Sequence, residues 1–177
     1  MREERNPTNV FARDCITTAL IQLMGEKAYK DITITEIARK AGVSRVTYYR
    51  NFSSKEDIII QHFEDIHKEF HKTVKNLDPN KHRYECLVKY FQTWLKHNEF
   101  LICLSKANLS PLLLESVNDF TRLSLSSAYK YQAFFFTGSI HNVLFEWAKE
   151  GTKESAEEMA AFLVDMIKPP PLPLALG

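Results

Sequence analysis

The 23 residues from Thr33 to Lys55, TITEIARKAGVSRVTYYRNFSSK, constrain the fold more tightly than any other stretch of this 177-residue chain. Thr33 and Glu36 form a T-x-x-E box. The threonine hydroxyl can accept the orphan N–H three residues on, and the carboxylate can reach back to the cap. Ile34, Ile37, Ala38 and Ala41 then recur at helical spacing, and Gly42 follows, where a left-handed residue ends a helix without a Cβ penalty. Val43 suits burial at the corner, and Ser44 supplies a second N-cap two residues after the glycine. A helix, a glycine turn and a second helix of roughly two turns give helix-turn-helix spacing.

In such a unit the second helix lies in the DNA major groove with its first residues over base edges, while the first helix crosses the backbone. Here the second helix carries Arg45, Thr47, Tyr48, Tyr49 and Arg50. From Glu36 to Lys55 five basic residues face a single acid, a local net of +4 in a chain whose net charge is +1. A short basic helix is by itself also an ordinary solvated face. Two caps and a turn glycine in agreement point instead to a nucleic-acid reader.

The stretch AGVSRVTYYRNFSSKEDI resembles the signature of the tetracycline-repressor (TetR/AcrR) family of transcriptional regulators. The resemblance covers about residues 10–60, with Tyr49, Phe52, Lys55 and the following helix at the family's spacing. Val46 stands where a small residue is common and Asn51 where an aromatic or histidine is usual, so the family's operator preferences do not carry over. The resemblance implies double-stranded operator DNA as partner, held by Thr33, Ser44, Arg45, Val46, Thr47, Tyr48, Tyr49, Asn51 and Lys55. Among them Arg45 suits guanine O6 and N7, and the methyls of Val46 and Thr47 suit thymine. Thr33, Tyr49 and Lys55 suit phosphates, which position a protein without specifying a sequence.

With 45% hydrophobic and 12% aromatic residues, the chain has the means to bury a substantial core. MREERNPTNV has no apolar leader core, and no uninterrupted apolar run approaches about 18 residues. A soluble, cytoplasmic protein with no membrane partner is expected. Cys15, Cys86 and Cys103 are odd in number and far apart, which reads as reduced core thiols, with a redox switch as the alternative. No alternating strand pattern and no internal repeat occurs. The expected fold is all-α with about nine helices: a helix-turn-helix DNA-binding domain over residues 1–52, a helical ligand-binding and dimerisation domain over 53–168, and a disordered proline-rich tail over 169–177.

The first helix, residues 8 to about 25, carries Ala12, Cys15, Ile16, Ala19, Leu20, Leu23 and Met24 on one face. A fourth, long helix opens with a Ser53–Glu56 box and runs to about Leu77; the resemblance makes it the link between head and regulatory body. His67 and His71 on it are i, i+4 neighbours of a kind that can chelate a metal, but no cysteine or acid at ligand spacing completes a set, so no metal is expected. Tyr84, Phe91, Trp94, Phe100 and Phe120 gather aromatics on the next three helices. By composition they are a core or a ligand box. The resemblance implies a cavity for an apolar or aromatic small molecule, with Phe63, His67, Phe91, Trp94 and Phe120 as candidate lining.

The eighth helix is apolar on two sides and the ninth carries a clean apolar seam, which leaves either an ordinary intrachain hairpin or, as the resemblance implies, a two-fold homodimer interface. Phe134, Gly138, His141, Phe145, Phe162 and Met166 are its candidate residues. No G-x-S-x-G, H-E-x-x-H, P-loop or G-x-G-x-x-G occurs, so no enzyme and no cofactor is expected. The function implied is a sequence-specific repressor released from its operator by a small-molecule effector. The alternative is a regulator or activator without a small-molecule site, controlled by a protein partner.

Overall fold

The computed structural model describes residues 7–79, 81–124 and 130–166. Among them the secondary structure is entirely helical: α1 (Pro7–Glu26), a 3-10 turn (Tyr29–Asp31), α2 (Ile34–Lys40), α3 (Arg45–Asn51), α4 (Lys55–Val74), α5 (Arg83–Lys96), α6 (Asn98–Lys106), α7 (Ser110–Ser124), α8 (Lys130–Lys149) and α9 (Ala156–Met166). The chain divides into two compact units, Met1–Glu64 and Asp65–Gly177, so the division falls inside α4 rather than at its start. The proline-rich tail lies outside the described residues.

In the first unit, Ala12, Ile16, Ala19, Leu20 and Leu23 form the buried face of α1. Their i, i+4, i+7 spacing predicts this stripe, and α1 packs through it on α2 and α3. Ile37 and Ala38 from α2, Tyr48 from α3, Phe52, and Ile58 and Ile59 from α4 complete the core. The start of α4 differs in detail from the expected Ser53–Glu56 box. Ser54 Oγ accepts the Asp57 N–H at 3.1 Å, while Ser53 donates from its backbone and hydroxyl to the Asp57 carboxylate at 2.8 and 3.0 Å. Glu56 is drawn away because it accepts the Tyr29 hydroxyl at 2.8 Å.

In the second unit α8 packs on α6 and α7, and α9 packs on α5. The sequence reading pairs α9 with α8. The structure instead turns the small residues Ala156 and Ala160, with Leu163, into the core, where they let α9 approach α5 closely. Gly151 at φ +84° ends α8, and Ser155 and Glu158 form the expected capping box of α9. Phe91 of α5 meets Trp147 of α8 edge-on at 5.2 Å, and the Trp147 indole N–H donates to the Glu154 carbonyl at 3.2 Å.

Candidate nucleic-acid interface

The reading end of the first unit is built from its caps. Thr33 Oγ1 accepts the Glu36 N–H at 3.2 Å, and the Thr33 N–H donates to Glu36 Oε2 at 2.9 Å, a complete capping box. Lys27 Nζ donates to the other Glu36 oxygen at 2.6 Å. That bond first, and the Thr33 donors second, hold the Glu36 carboxyl at about 2. Gly42 takes φ +68° at the turn, and the Val43 N–H closes back on the Ala38 carbonyl at 2.9 Å. Ser44 Oγ then accepts the Thr47 N–H at 3.0 Å and so starts α3.

Exposure along α3 sorts the sequence-derived residues. Arg45, Val46, Tyr49 and Arg50 are exposed, with Val46 at 69% and Tyr49 at 50%. The Arg45 guanidinium lies 5.9 Å from the Tyr49 ring centroid, one helical turn on. Thr47 is half-buried with its hydroxyl 3.0 Å from Ser44 Oγ, and the Asn51 amide donates to the Thr47 carbonyl at 2.8 Å. Tyr48 does not belong to this surface. It is fully buried, edge-on to Tyr49 at 5.3 Å, because the helical period turns it inward between Thr47 and Tyr49. Burial pushes its phenol up to about 12.

Lys55 is half-buried and donates to the carbonyls of Tyr29 and Ile32 at 2.8 and 2.9 Å, with its ammonium 4.3 Å from the Tyr29 ring centroid. Two of its three N–H donors therefore fix the segment that leads into the Thr33 cap. Lys40 is paired with Glu26 at 2.8 Å and Lys27 with Glu36. The positive charge displayed on α3 itself comes from Arg45 and Arg50, the latter outside the sequence-derived set. Sequence reasoning also missed Arg13, whose guanidinium stacks 4.9 Å from the Phe52 ring centroid, a cross-helix contact that no local spacing signals.

Residues 16–61, from within α1 to the first half of α4, match the family model described as bacterial regulatory proteins, tetR family. Residues 16–61 thus carry the DNA-binding segment of the tetR family. It is 22% identical to the uncharacterised HTH-type transcriptional regulator YerO of Bacillus subtilis (strain 168), over 88% of this chain, and it spans 63% of that relative's length. Its fold is similar to that of NalD, the secondary repressor of the MexAB-OprM multidrug efflux pump in Pseudomonas aeruginosa: TM-score 0.58, 17% identity, covering 90% of this chain and 94% of that one. It is also similar to the dihydroxyacetone kinase operon activator DhaS: TM-score 0.57, 16% identity, covering 89% and 94%. The capped helices α2 and α3 with their glycine turn are the helix-turn-helix of that segment.

The second unit distributes the other sequence-derived residues unevenly. His67 is buried, edge-on to Tyr90 and Trp94 at centroid distances of 6.4 and 6.3 Å, and burial first, then His71 and His141, push its imidazole down to about 4. Phe91 and Trp94 are fully buried, Phe63 is buried on α4 just before the division between the units, and the side chain of Phe120 lies outside the described residues. An open cleft of about 410 Å³ lies elsewhere, lined by Ser105, Asn108, Ser110, Asn142, Val143, Phe145, Glu146 and Lys149. Among the described residues no group of three or more His, Cys, Asp or Glu side chains is placed to hold a metal ion, and no single helix is long and apolar enough to cross a membrane.

The dimerisation set divides in the same way. His141 and Phe145 are buried within the unit, their rings 4.7 Å apart, and His141 Nε2 shares a hydrogen bond of 3.2 Å with Ser110 Oγ. They anchor α8 on its own neighbours, and of the two only Phe145 reaches the edge of the open cleft. Phe162 and Met166 are exposed, while Phe134 is half-buried with the Arg122 guanidinium 5.7 Å from its ring centroid. The exposed aromatics of α8 are instead Tyr131 and Phe135, at 82% and 64%. Their i, i+4 spacing is visible in the sequence, but the polar residues that continue the stripe disguise it.

Proposed function

We propose that this chain is a TetR-family regulator that binds operator DNA as a homodimer and acts as a repressor, released when an apolar or aromatic small molecule binds the second unit. The observation that carries the DNA half is the exposure of Arg45, Val46 and Tyr49 at the capped N-terminal end of α3, where a recognition helix meets base edges. In this reading Arg45 reads guanine, Val46 and the Thr47 methyl meet thymine, and Tyr49, Thr33 and the remaining Lys55 donor hold phosphates. The exposed apolar side chains of α8 and α9 support self-association. The buried imidazole of His67 among aromatic rings supports an effector that is largely apolar and carries one polar group. In this reading the effector acts through α4, which runs from Lys55 to Val74 and carries at its start the Lys55 bonds to Tyr29 and Ile32.

An effector shifts the equilibrium only by its differential affinity for the two states, and by reciprocity operator DNA weakens effector binding by the same factor. Titrating apolar and aromatic compounds against free and operator-bound protein tests this. Preferential binding to the free form supports the reading; equal affinity for both forms removes it. A second reading, control by a protein partner, is favoured by the exposed aromatic side chains Tyr131 and Phe135 of α8, which offer a surface to a protein. It predicts that no compound of the library alters operator affinity.

A further inference from the structure

One outward stripe of α8 is apolar at its first half and opens on the cleft at its second. Tyr131, Phe135, Gly138, Ser139, Asn142, Glu146 and Lys149 recur at steps of three or four residues and share one face, and all but the two small central ones are exposed. The cleft of about 410 Å³ borders this stripe from Asn142 to Lys149, with Ser105, Asn108 and Ser110 as its far wall. An isologous two-fold contact requires that residue i meet j and that j meet i. A two-fold axis through the Gly138–Ser139 step, perpendicular to α8, sets Tyr131 opposite Glu146 and Phe135 opposite Asn142 of the other copy. Gly138 and Ser139 then meet at the crossing, where small side chains allow the closest approach of two helices. The Ser139 hydroxyl is already satisfied, since it donates to the Phe135 carbonyl of its own helix at 2.7 Å.

We propose that the cleft beside Asn142, Glu146 and Lys149 is a socket for Tyr131 of a second copy of this chain, with the two α8 helices antiparallel about Gly138–Ser139. This rests on the homodimer reading above and adds to it a register and an anchor. The chemistry of the socket matches a phenol. Asn108, Asn142 and Glu146 offer carbonyl or carboxylate acceptors to its hydroxyl, and Val143 and Phe145 line the same cleft with apolar surface. An aromatic side chain buries about 150–250 Å², so Tyr131 and Phe135, exposed by 82% and 64%, provide roughly a third of the about 800 Å² per partner of a stable interface.

The test uses the full chain with Cys15, Cys86 and Cys103 replaced by alanine. Under mild oxidation the double variant Phe135→Cys, Asn142→Cys forms a disulfide-linked dimer, whereas Phe135→Cys alone does not. Tyr131→Ala raises the dimer dissociation constant at least tenfold, and because Tyr131 is 82% exposed its removal leaves the fold of the protomer intact. A dimer that cross-links through Phe135→Cys alone, or whose dissociation constant ignores Tyr131→Ala, overturns the socket and leaves the homodimer standing. A monomer in sedimentation at micromolar concentration overturns the homodimer itself.

Discussion

Lys55 offers the sharpest test of how the head is held together. Its ammonium donates to the carbonyls of Tyr29 and Ile32, and Ile32 directly precedes the Thr33 cap of α2. Lys55→Met keeps the aliphatic stem and removes both bonds together with the contact on the Tyr29 ring. Hydrogen bonds to charged groups contribute about 1.5–3 kcal/mol each. The two here share one half-buried ammonium and are not additive, so the head should lose about 2–3 kcal/mol. With two compact units, a single global unfolding energy is ill-defined. Amide hydrogen exchange read locally avoids this difficulty. The α2 amides of Ile37, Ala38 and Ala41 should exchange about 30–150-fold faster in the variant, from 1.36 kcal/mol per decade. Unchanged α2 exchange with lost DNA affinity would refute the reasoning and leave Lys55 as a phosphate contact only.

Three further outcomes follow from the geometry. Tyr48→Phe should raise the stability of the head by about 1 kcal/mol, since the buried Tyr48 hydroxyl has no hydrogen-bond partner among the described residues; a loss of stability in thermal melts contradicts this. Gly42→Ala should cost about 1–2 kcal/mol through the left-handed backbone alone, because a Cβ there meets nothing within 4 Å; a neutral effect in denaturant titration would show that the turn relaxes. His67 binds its proton in the unfolded chain near 6.5 and in the folded one near 4, so its contribution is present above 6.5 and is lost as pH falls towards 4, roughly 3 kcal/mol in all. His67→Phe should flatten that part of the stability profile, and an unchanged slope between those pH values would contradict the burial argument.

The head was legible because its signals are local. A cap, a box, a turn glycine and a second cap lie within a dozen residues, and each reappears in the hydrogen bonds of Thr33, Glu36, Gly42 and Ser44. Tyr48 escaped because its neighbours Thr47 and Tyr49 on a two-turn helix are equally plausible by residue type, and only the packing of α1 tells which side faces inward. The second unit was legible as helices but not as partners. Nothing within α9 states that Ala156 and Ala160 seek α5, and the double apolar character of α8 hid the fact that His141 and Phe145 face its own core while Phe135 does not. Lys55 illustrates a subtler limit. Its charge and position suit a phosphate, yet its observed bonds go to carbonyls more than 20 residues away in sequence.

The central claim is that two copies of this head read DNA through α3. Selection of bound fragments from a random duplex library by the purified protein tests it most directly. The account predicts enrichment of an inverted repeat whose half-sites are about one turn apart, roughly 34–36 Å, with the guanine preference at one half-site position relaxed by Arg45→Ala. No enriched repeat, or a repeat whose base preferences ignore Arg45→Ala, would contradict it.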